Sequence, residues 1–424
     1  MRRVTRRPGP IPASLSVGGL SLFLLFLALL AGQTIRFPLP GQGGGLLVSD
    51  IAIVLILLTA LWQLMRSRLG ASRLSIHYLL LTTPFIIWSF FSLALNVPAL
   101  QRTEAAIAFS YWLRLTTHLL LLPALLLLFQ QQHLKVFARR GLVVTAACLA
   151  ALGLLQLWLV PDLKNFTGWD PHQGRLVSTW LDPNFFGAFL AMMLPVAIGW
   201  ALLARRSPAL GGGVGWCSLI IVALILTQSR SAILALTLAC LLLSPLLLAT
   251  FLQKSTTPRR VTAVNLLALT ALLLTLTSLL LAERLKGLVT IDPTVTLRVS
   301  ALREAWYMAQ EHSLIGVGYN AYQFAAARAG LISNFSLHSR AGADSSYLTL
   351  WVTTGFPGLL LFLLPLGAAG AKLLRHPRLS RAPEAAAAAL ALLTLAIHAN
   401  FVNSFLYAHL LITLSLIVAL TLSE

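Results

Sequence analysis

Charged side chains gather in two segments of this 424-residue chain, each bordered by apolar runs. Residues 283–346 contain Arg298, Arg303, Glu304, His312, His338, Arg340 and Asp344. Residues 161–183 contain Asp170, His172, Arg175 and Asp182. Arginines that converge from separate stretches suit a phosphate or diphosphate, because the guanidinium fork matches the phosphate oxygens and stays charged. A carboxylate or imidazole among them could take a proton from an incoming hydroxyl.

These residues also have plain structural interpretations. Arg303 and Glu304 fit the solvated face of a helix, and His338 fits a surface loop. The segment 182–184, Asp-Pro-Asn, is typical of a helix start with an aspartate cap. Arg230 stands between two apolar runs, where a charge near hydrocarbon is costly unless it reaches water or a partner. It therefore either extends to lipid headgroups or binds an anionic ligand group.

The sequence contains no motif for a metal or a nucleotide phosphate. HExxH, an acidic metal loop and GxxxxGK are all missing from it. The three cysteines, at 148, 217 and 240, lie inside apolar runs without the paired spacing of a zinc or thiol redox site. We therefore expect neither a metal nor a cofactor.

The composition is that of a membrane protein. The chain is 58% hydrophobic and 10% charged, with a mean hydropathy of +0.84, which is too much apolar surface for a soluble fold. Its net charge of +19 does not indicate nucleic-acid binding, since the basic residues occupy short loops without interleaved aromatic residues.

Apolar runs of a length that can cross a bilayer recur along the chain. They predict an all-α polytopic protein of about twelve transmembrane helices in a single membrane domain, residues 1–424. The predicted spans are 15–32, 47–65, 76–97, 104–129, 141–160, 184–203, 214–227, 231–252, 261–282, 347–371, 385–401 and 404–422. A turn at residues 228–230 separates the seventh span from the eighth. We find no convincing internal repeat.

Lysine and arginine counts in alternate loops predict the orientation, because positively charged loops stay in the cytoplasm. One side carries 19 of these residues and the other 11, with Arg114 alone in mid-span. Both termini are therefore expected in the cytoplasm, with the basic N-terminal segment and first span acting as an uncleaved anchor. The segments 161–183 and 283–346 then lie on the outer face, the second between spans nine and ten.

The sequence from 298 to 314 in the long outer segment predicts an amphipathic helix. Val299, Leu302, Trp306 and Ala309 form one stripe, so we expect this helix to lie along the membrane surface. Gly316 and the residues that follow should end it.

Arg114 lies within the fourth span, SYWLRLTTH, where an unpaired charge is costly. The plain interpretation is a buried ion pair. Asp50 and Glu104 are the candidate partners.

Four segments occur in an order and spacing that resemble a known family. They read GRLVSTWLDPNFFGAFLAMMLP, LTQSRSAILAL, RVSALREAWYMAQEHSLIGVGYNAY and DSSYLTLWVTTGFPGLLLF, and together they run from about Arg175 to Leu361. In this the chain resembles the O-antigen ligase and polymerase family of bacterial membrane glycosyltransferases.

The resemblance implies a GT-C-like helical fold in the plasma membrane, with the reaction on its outer face. Members move a glycan from undecaprenyl diphosphate to a hydroxyl acceptor, such as another glycan or lipid A-core, without a metal or nucleotide sugar. The family's functional arginines match Arg230 and Arg298, and Arg175 matches a further element. Arg303 and Tyr347 are additional candidates for substrate binding.

The chain departs from the family pattern at one position that matters for the reaction. Ligases usually read His-Asn-x-Tyr-Leu where this chain reads Asp-Ser-Ser-Tyr-Leu from Asp344. Either Asp344 does the work of that histidine, or His338 reaches in from the loop. The aspartate tilts the interpretation slightly from ligase towards repeat-unit polymerase. A flippase or other transporter of the same lipid-linked glycans is the alternative, and a non-catalytic scaffold would leave the arginines unexplained.

Overall fold

The computed structural model describes residues 16–38, 45–66, 70, 72–164, 172–204, 213–252, 293–331, 342–375 and 383–423. The helices are α1 (Val17–Ala31), α2 (Val48–Arg66), α3 (Arg73–Asn96), α4 (Arg102–Leu128), α5 (Gln132–Leu159), α6 (Pro183–Ala204), α7 (Gly213–Leu226), α8 (Arg230–Leu252), α9 (Pro293–Glu311), α10 (Tyr322–Arg328), α11 (Ser346–Leu374), α12 (Pro383–His398) and α13 (Ala408–Leu422). Short 3₁₀ turns cover Val97–Ala99, Ser178–Trp180 and Ser404–Leu406. Strands β1 (Arg36–Pro38) and β2 (Gly45–Leu47) form an antiparallel hairpin between α1 and α2.

The helices agree with the apolar pattern of the sequence. Runs rich in leucine and alanine favour helix, and serine caps begin α1, α3 and α11, where the side chains of Ser16, Ser72 and Ser345 accept backbone N–H groups of the first turn. Eleven of the predicted spans fall on apolar helices, six of them long enough to cross a membrane. The span predicted at 261–282 lies outside the described residues. The chain is thus an all-helical, multi-pass membrane protein, whereas the count of twelve crossings stays a prediction.

Helix α6 lies at the centre of the packing. It contacts α12, α7 and α8, while α13 packs against α4, and both α6 and α13 are buried along most of their length. Trp180, directly before α6, is buried between Phe186, Phe189 and Tyr407. This aromatic contact fixes the start of α6 against the start of α13.

A buried ion pair joins α2 and α4. Arg114 donates from Nε and Nη2 to Asp50 Oδ2 over 3.1 and 2.6 Å, and its Nη2 also donates to the carbonyl oxygen of Gly45 in β2. The same Asp50 oxygen accepts the backbone N–H of Leu47 at 2.8 Å. The expected pairing of Arg114 is confirmed, with Asp50 as the partner. Glu104 pairs instead with Arg328 of α10.

Helix α11 is broken at Gly355. Its φ of 71° and ψ of 170° lie in a region that is essentially restricted to glycine, and a Cβ there would overlap with the carbonyl oxygen of Leu314. The segment that follows α9 crosses the break and pairs with it. Phe356 N donates to Ser313 O at 2.7 Å, and Val317 N donates to Val352 O at 2.9 Å.

Three side chains on one face of α3 satisfy the carbonyl groups freed at this junction. Trp88 Nε1 donates to Thr354 O at 2.7 Å, and Asn96 Nδ2 donates to Gly316 O at 3.2 Å. Between them, Ser92 Oγ lies 3.0 Å from Thr353 O and 2.6 Å from Ile315 O. Because backbone groups at membrane depth cannot turn to water, these bonds stabilise the break.

Helix α9 packs on the N-terminal half of α11, beside this junction. The predicted helix is confirmed over residues 298–311, and its position along the membrane surface stays a prediction. The predicted apolar stripe is mostly exposed. Val299, Leu302 and Trp306 are exposed, and Ala309 is the one member that is buried. The packed face consists of small residues and one methionine: Ala301, Ala305, Met308 and Ala309. Small side chains allow α9 to approach α11 closely, which leaves the larger apolar residues free to contact lipid.

We expect the change Gly355→Ala to be strongly destabilising, by about 4 kcal/mol or more, because it adds backbone strain and a steric clash at one residue. Thermal unfolding in detergent measures the effect. Gly367→Ala is the matched control, since Gly367 also lies in α11 and a Cβ there meets nothing within 4 Å. Equal unfolding midpoints for the two variants would contradict the role given to Gly355.

Candidate active site

The structure brings Arg298 and Asp344 together. Arg298 lies in α9 and Asp344 directly precedes the Ser345 cap of α11, so the packing of these helices sets their separation. Arg298 Nε lies 3.9 Å from Asp344 Oδ2, and the side chains are 51% and 24% exposed. A pair this open is screened by water and contributes little to stability. Most donors of the Arg298 fork thus remain available to another anion.

Arg175 is attached to the turn before α8. Its Nε donates to Thr227 O at 2.9 Å, and its Nη2 lies 3.4 Å from Asn184 Oδ1 at the start of α6. Thr227 precedes Arg230 by three residues. Arg175 therefore lies beside the turn that carries Arg230, although the two arginines are far apart in sequence.

Charge interactions connect Arg175 with the Arg298 pair. Burial is the main reason that the pKa of Arg175 is lowered; the Arg298 charge lowers it further, and Asp182 acts in the opposite direction. The Arg298 charge therefore acts on Arg175, and the Asp182 carboxylate offsets it. Asp182 also accepts the backbone N–H groups of Asn184 and Phe185, at 2.7 and 3.2 Å. The predicted cap of α6 is confirmed.

Arg230 is the first residue of α8 and is exposed. The serines on either side hold the turn inward. Ser229 is fully buried, with its Oγ 3.4 Å from Asn184 Oδ1, and Ser231 Oγ lies 3.1 Å from Nε2 of the buried His398. Since both neighbours are attached to the protein interior, the Arg230 side chain extends away from it. The turn predicted at residues 228–230 is confirmed at residues 227–229, directly before α8.

Left-handed backbone conformations occur at the turns that carry the site. Leu181, Gln228 and Asp344 have φ values of 58°, 52° and 47°. Non-glycine residues in this region cost on the order of 1–3 kcal/mol each and persist where surrounding contacts fix them. Leu181 is next to Asp182, Gln228 is two residues before Arg230, and Asp344 is itself a candidate; Ser178 and Asn320 are also left-handed.

Residues 215–363 match a family model described as O-antigen ligase. Over this segment the chain is similar to the O-antigen ligase family. The resemblance read from the sequence is thereby confirmed over α8, α9 and the broken part of α11, and the matched segment contains Arg230, Arg298 and Asp344. Arg175 lies before the matched segment. No curated protein matches the chain.

The remaining candidates in the O-antigen ligase segment are placed differently. Arg303 is exposed on α9 and forms no ion pair with Asp344. Tyr347 uses its hydroxyl to join two helices, donating to Ala396 O of α12 at 2.7 Å, and its ring packs edge-on against Phe405. His338 lies outside the described residues. The functional roles of all three stay predictions.

Sequence reasoning missed the residues that hold the arginines in place. Asn184, Ser229, Ser231 and His398 carry no charge signal, and they come from three separate helices. The one available clue was the pair of serines that flank Arg230. In the part of the chain that the structure describes, no three His, Cys, Asp or Glu side chains gather where they could hold a metal ion.

The change Ser231→Ala should destabilise the fold by about 1–3 kcal/mol, because it leaves Nε2 of the buried His398 without this hydroxyl. Thermal unfolding of the purified variant measures the loss. Ser244→Ala is the control in the same helix, since that hydroxyl bonds only to Leu241 O one turn away. A Ser231 variant as stable as the Ser244 variant would show that the buried contact does not hold the turn.

Proposed function

We propose that the protein is a membrane glycosyltransferase of surface polysaccharide assembly, which moves a glycan from undecaprenyl diphosphate to a hydroxyl acceptor. The observation that carries this proposal is the proximity of Arg298 to the Asp344 carboxylate, within a segment similar to the O-antigen ligase family. The site would lie on the outer face of the bacterial inner membrane, with both termini in the cytoplasm. The loop charges of the sequence support that orientation.

The positive charge of the arginines is suited to the diphosphate leaving group. In the proposed reaction, the acceptor oxygen attacks the anomeric carbon from the side opposite the diphosphate, and the bond from that carbon to the phosphate oxygen breaks with inversion. Arg298 and Arg230 offset the charge that develops on the departing diphosphate. Arg175 adds positive charge beside the Arg230 turn. No metal is required by this scheme, because guanidinium groups supply the positive charge.

The carboxylate of Asp344 is suited to bind the acceptor hydroxyl. A carboxylate accepts a hydrogen bond from an incoming hydroxyl and can orient it, or it can take the proton as the new bond forms. Since Arg298 stabilises the negative charge of this carboxylate, orientation is the role that the geometry favours. His338 is the alternative base.

A transporter or flippase of the same lipid-linked glycan is the second candidate, because α11 is broken and transporters bind substrates at broken helices. The break in α11 is filled by the segment after α9 and by α3 side chains. The mid-span charge of Arg114 is likewise neutralised by Asp50. Both features therefore support a structural role for the break and the charge.

The changes Arg298→Ala and Arg230→Ala should each lower kcat for glycan transfer by roughly 10²–10³, by analogy with the loss of one transition-state donor. The assay uses purified protein in proteoliposomes with the lipid-linked donor and no ion gradient. Arg102→Ala, at an exposed arginine that starts α4, is the control and should keep full activity. Full transfer by both site variants would refute the mechanism, and movement of unmodified donor across the bilayer would favour the transporter.

The base can be assigned by comparing Asp344→Asn with His338→Ala. If Asp344 orients or deprotonates the acceptor, the first variant should lose roughly 10²–10⁴ in kcat and the second should lose little. Rates at saturating donor across a pH series measure this. A large loss of kcat in His338→Ala with little loss in Asp344→Asn would identify His338 as the base, and Asp344 would then serve only as a partner of Arg298.

Product mass separates polymerase from ligase. If the aspartate marks a polymerase, the lipid-linked repeat unit alone should yield a ladder of lengthened glycans. A single adduct that forms only when lipid A-core is added would identify a ligase. Mass spectrometry of the reconstituted reaction, with and without lipid A-core, gives the answer.

A further inference from the structure

A polar cavity of about 210 Å³ lies apart from the arginine site, between the β1–β2 hairpin, α4 and the start of α13. Its polar and aromatic lining includes Arg36, Tyr111, Arg114, His118, Tyr319 and Tyr407. The volume is far larger than one water molecule needs. Ionisable groups this far inside a membrane protein commonly mark a binding site.

Two buried hydrogen-bond acceptors without a donor lie at this cavity: His118 lines it, and Asp50 lies behind the lining residues. His118 is 1% exposed, and its Nδ1 lies 2.7 Å from Arg114 O, so in the neutral ring Nδ1 donates and Nε2 accepts. Neither His118 Nε2 nor Asp50 Oδ1 has a hydrogen-bond partner among the described residues, and both are buried. They lie 4.0 Å apart, too far for a direct bond. A group that donates hydrogen bonds would satisfy them.

The walls present donors and aromatic faces. Arg36 and Arg114 supply guanidinium N–H groups, and three tyrosines add rings and hydroxyls. The Arg114 charge is already neutralised by Asp50, whereas Arg36 donates to the neutral side-chain oxygen of Gln33. A ligand that matches it both donates and accepts hydrogen bonds and offers an apolar face to aromatic rings.

We propose that this cavity is a subsite for one sugar ring of the glycan substrate. A pyranose carries hydroxyls that can donate to His118 and accept from the guanidinium groups, and its C–H face can lie against Tyr111 or Tyr319. The assignment rests on the proposed glycosyltransferase function, and it adds to that function a place for sugar away from the reacting bond.

The cavity lies next to the candidate active site. Tyr407 lines it, and the Tyr407 ring stacks on Phe185 with centroids 4.0 Å apart and planes at 15°. Phe185 directly follows Asn184, the partner of Arg175 and Ser229. One aromatic pair therefore separates the sugar subsite from the arginine region, so an extended glycan can occupy both.

The test is a binding measurement on the full chain in nanodiscs. The probe is the free oligosaccharide released by mild acid from the lipid-linked donor of the native cells, followed by saturation-transfer NMR and titration calorimetry. Tyr111→Ala removes a half-buried ring and should weaken binding roughly tenfold. Tyr319→Phe, which keeps the ring and the packing, should weaken it less. Phe109→Ala changes an exposed ring of α4 that does not line the cavity, and it should bind normally.

Kinetics then distinguish the two sources of sugar. A raised KM for acceptor in Tyr111→Ala assigns the subsite to the acceptor glycan, and a raised KM for donor assigns it to the donor glycan. The proposal is overturned if the probe does not bind the parent protein, or if Tyr111→Ala and Phe109→Ala bind it equally, as for a cavity that holds only water. Loss of probe binding in Arg298→Ala alone would place the sugar elsewhere.

Failure here is separable from failure of the proposed function. Arg298→Ala tests the chemistry and should leave probe binding unchanged, whereas Tyr111→Ala tests the subsite. An Arg298→Ala variant that is fully active and binds the probe normally would refute the proposed role of Arg298 in glycan transfer and would leave the proposed sugar subsite intact.

Discussion

The paired backbone at the break of α11 is the constraint on which the candidate active site depends. A helix cannot open inside a bilayer unless its freed N–H and C=O groups find partners. Here the segment after α9 supplies some of them, and Trp88, Ser92 and Asn96 of α3 supply the others. Since the same segment leads directly out of α9, it also fixes that helix on α11. The position of Arg298 opposite Asp344 follows from this junction.

Neutral groups and one carboxylate lie against the arginines. Arg175 is half-buried and bonded to a backbone carbonyl and an amide, Arg298 lies beside Asp344, and the serines beside the exposed Arg230 are turned inward. Burial is the main cause of the lowered pKa of Arg175, and repulsion from the like charge of Arg298 adds to it. Carboxylates at Asp182 and Asp344 offset part of that repulsion. The backbone strain at the neighbouring turns is a further cost, which the buried hydroxyl contacts can offset.

Much of this was predictable from the sequence, and the missing part has physical reasons. Apolar length located eleven helices, the cap at Asp182 followed from its chemistry, and the high cost of an unpaired charge led to the Asp50 partner of Arg114. The break at Gly355 was not predictable, because a glycine two residues before a proline is compatible with several backbone conformations. The sequence did not indicate which face of α9 packs on α11, because the larger apolar residues dominate the periodicity, whereas the packed face consists mainly of alanines. The contacts of Asn184 and His398 were not predictable, because they join helices that are far apart in sequence.

The ion pair between Asp50 and Arg114 constrains how the chain enters the membrane. The two residues are 64 positions apart and belong to different helices, with α3 between them. Because α2 is synthesised before α4, the Asp50 carboxylate has no arginine partner until Arg114 follows it. Arg114 then neutralises that charge and also binds the carbonyl oxygen of Gly45 in β2. The packing of α2 against α4 and the placement of the β2 strand are therefore completed together.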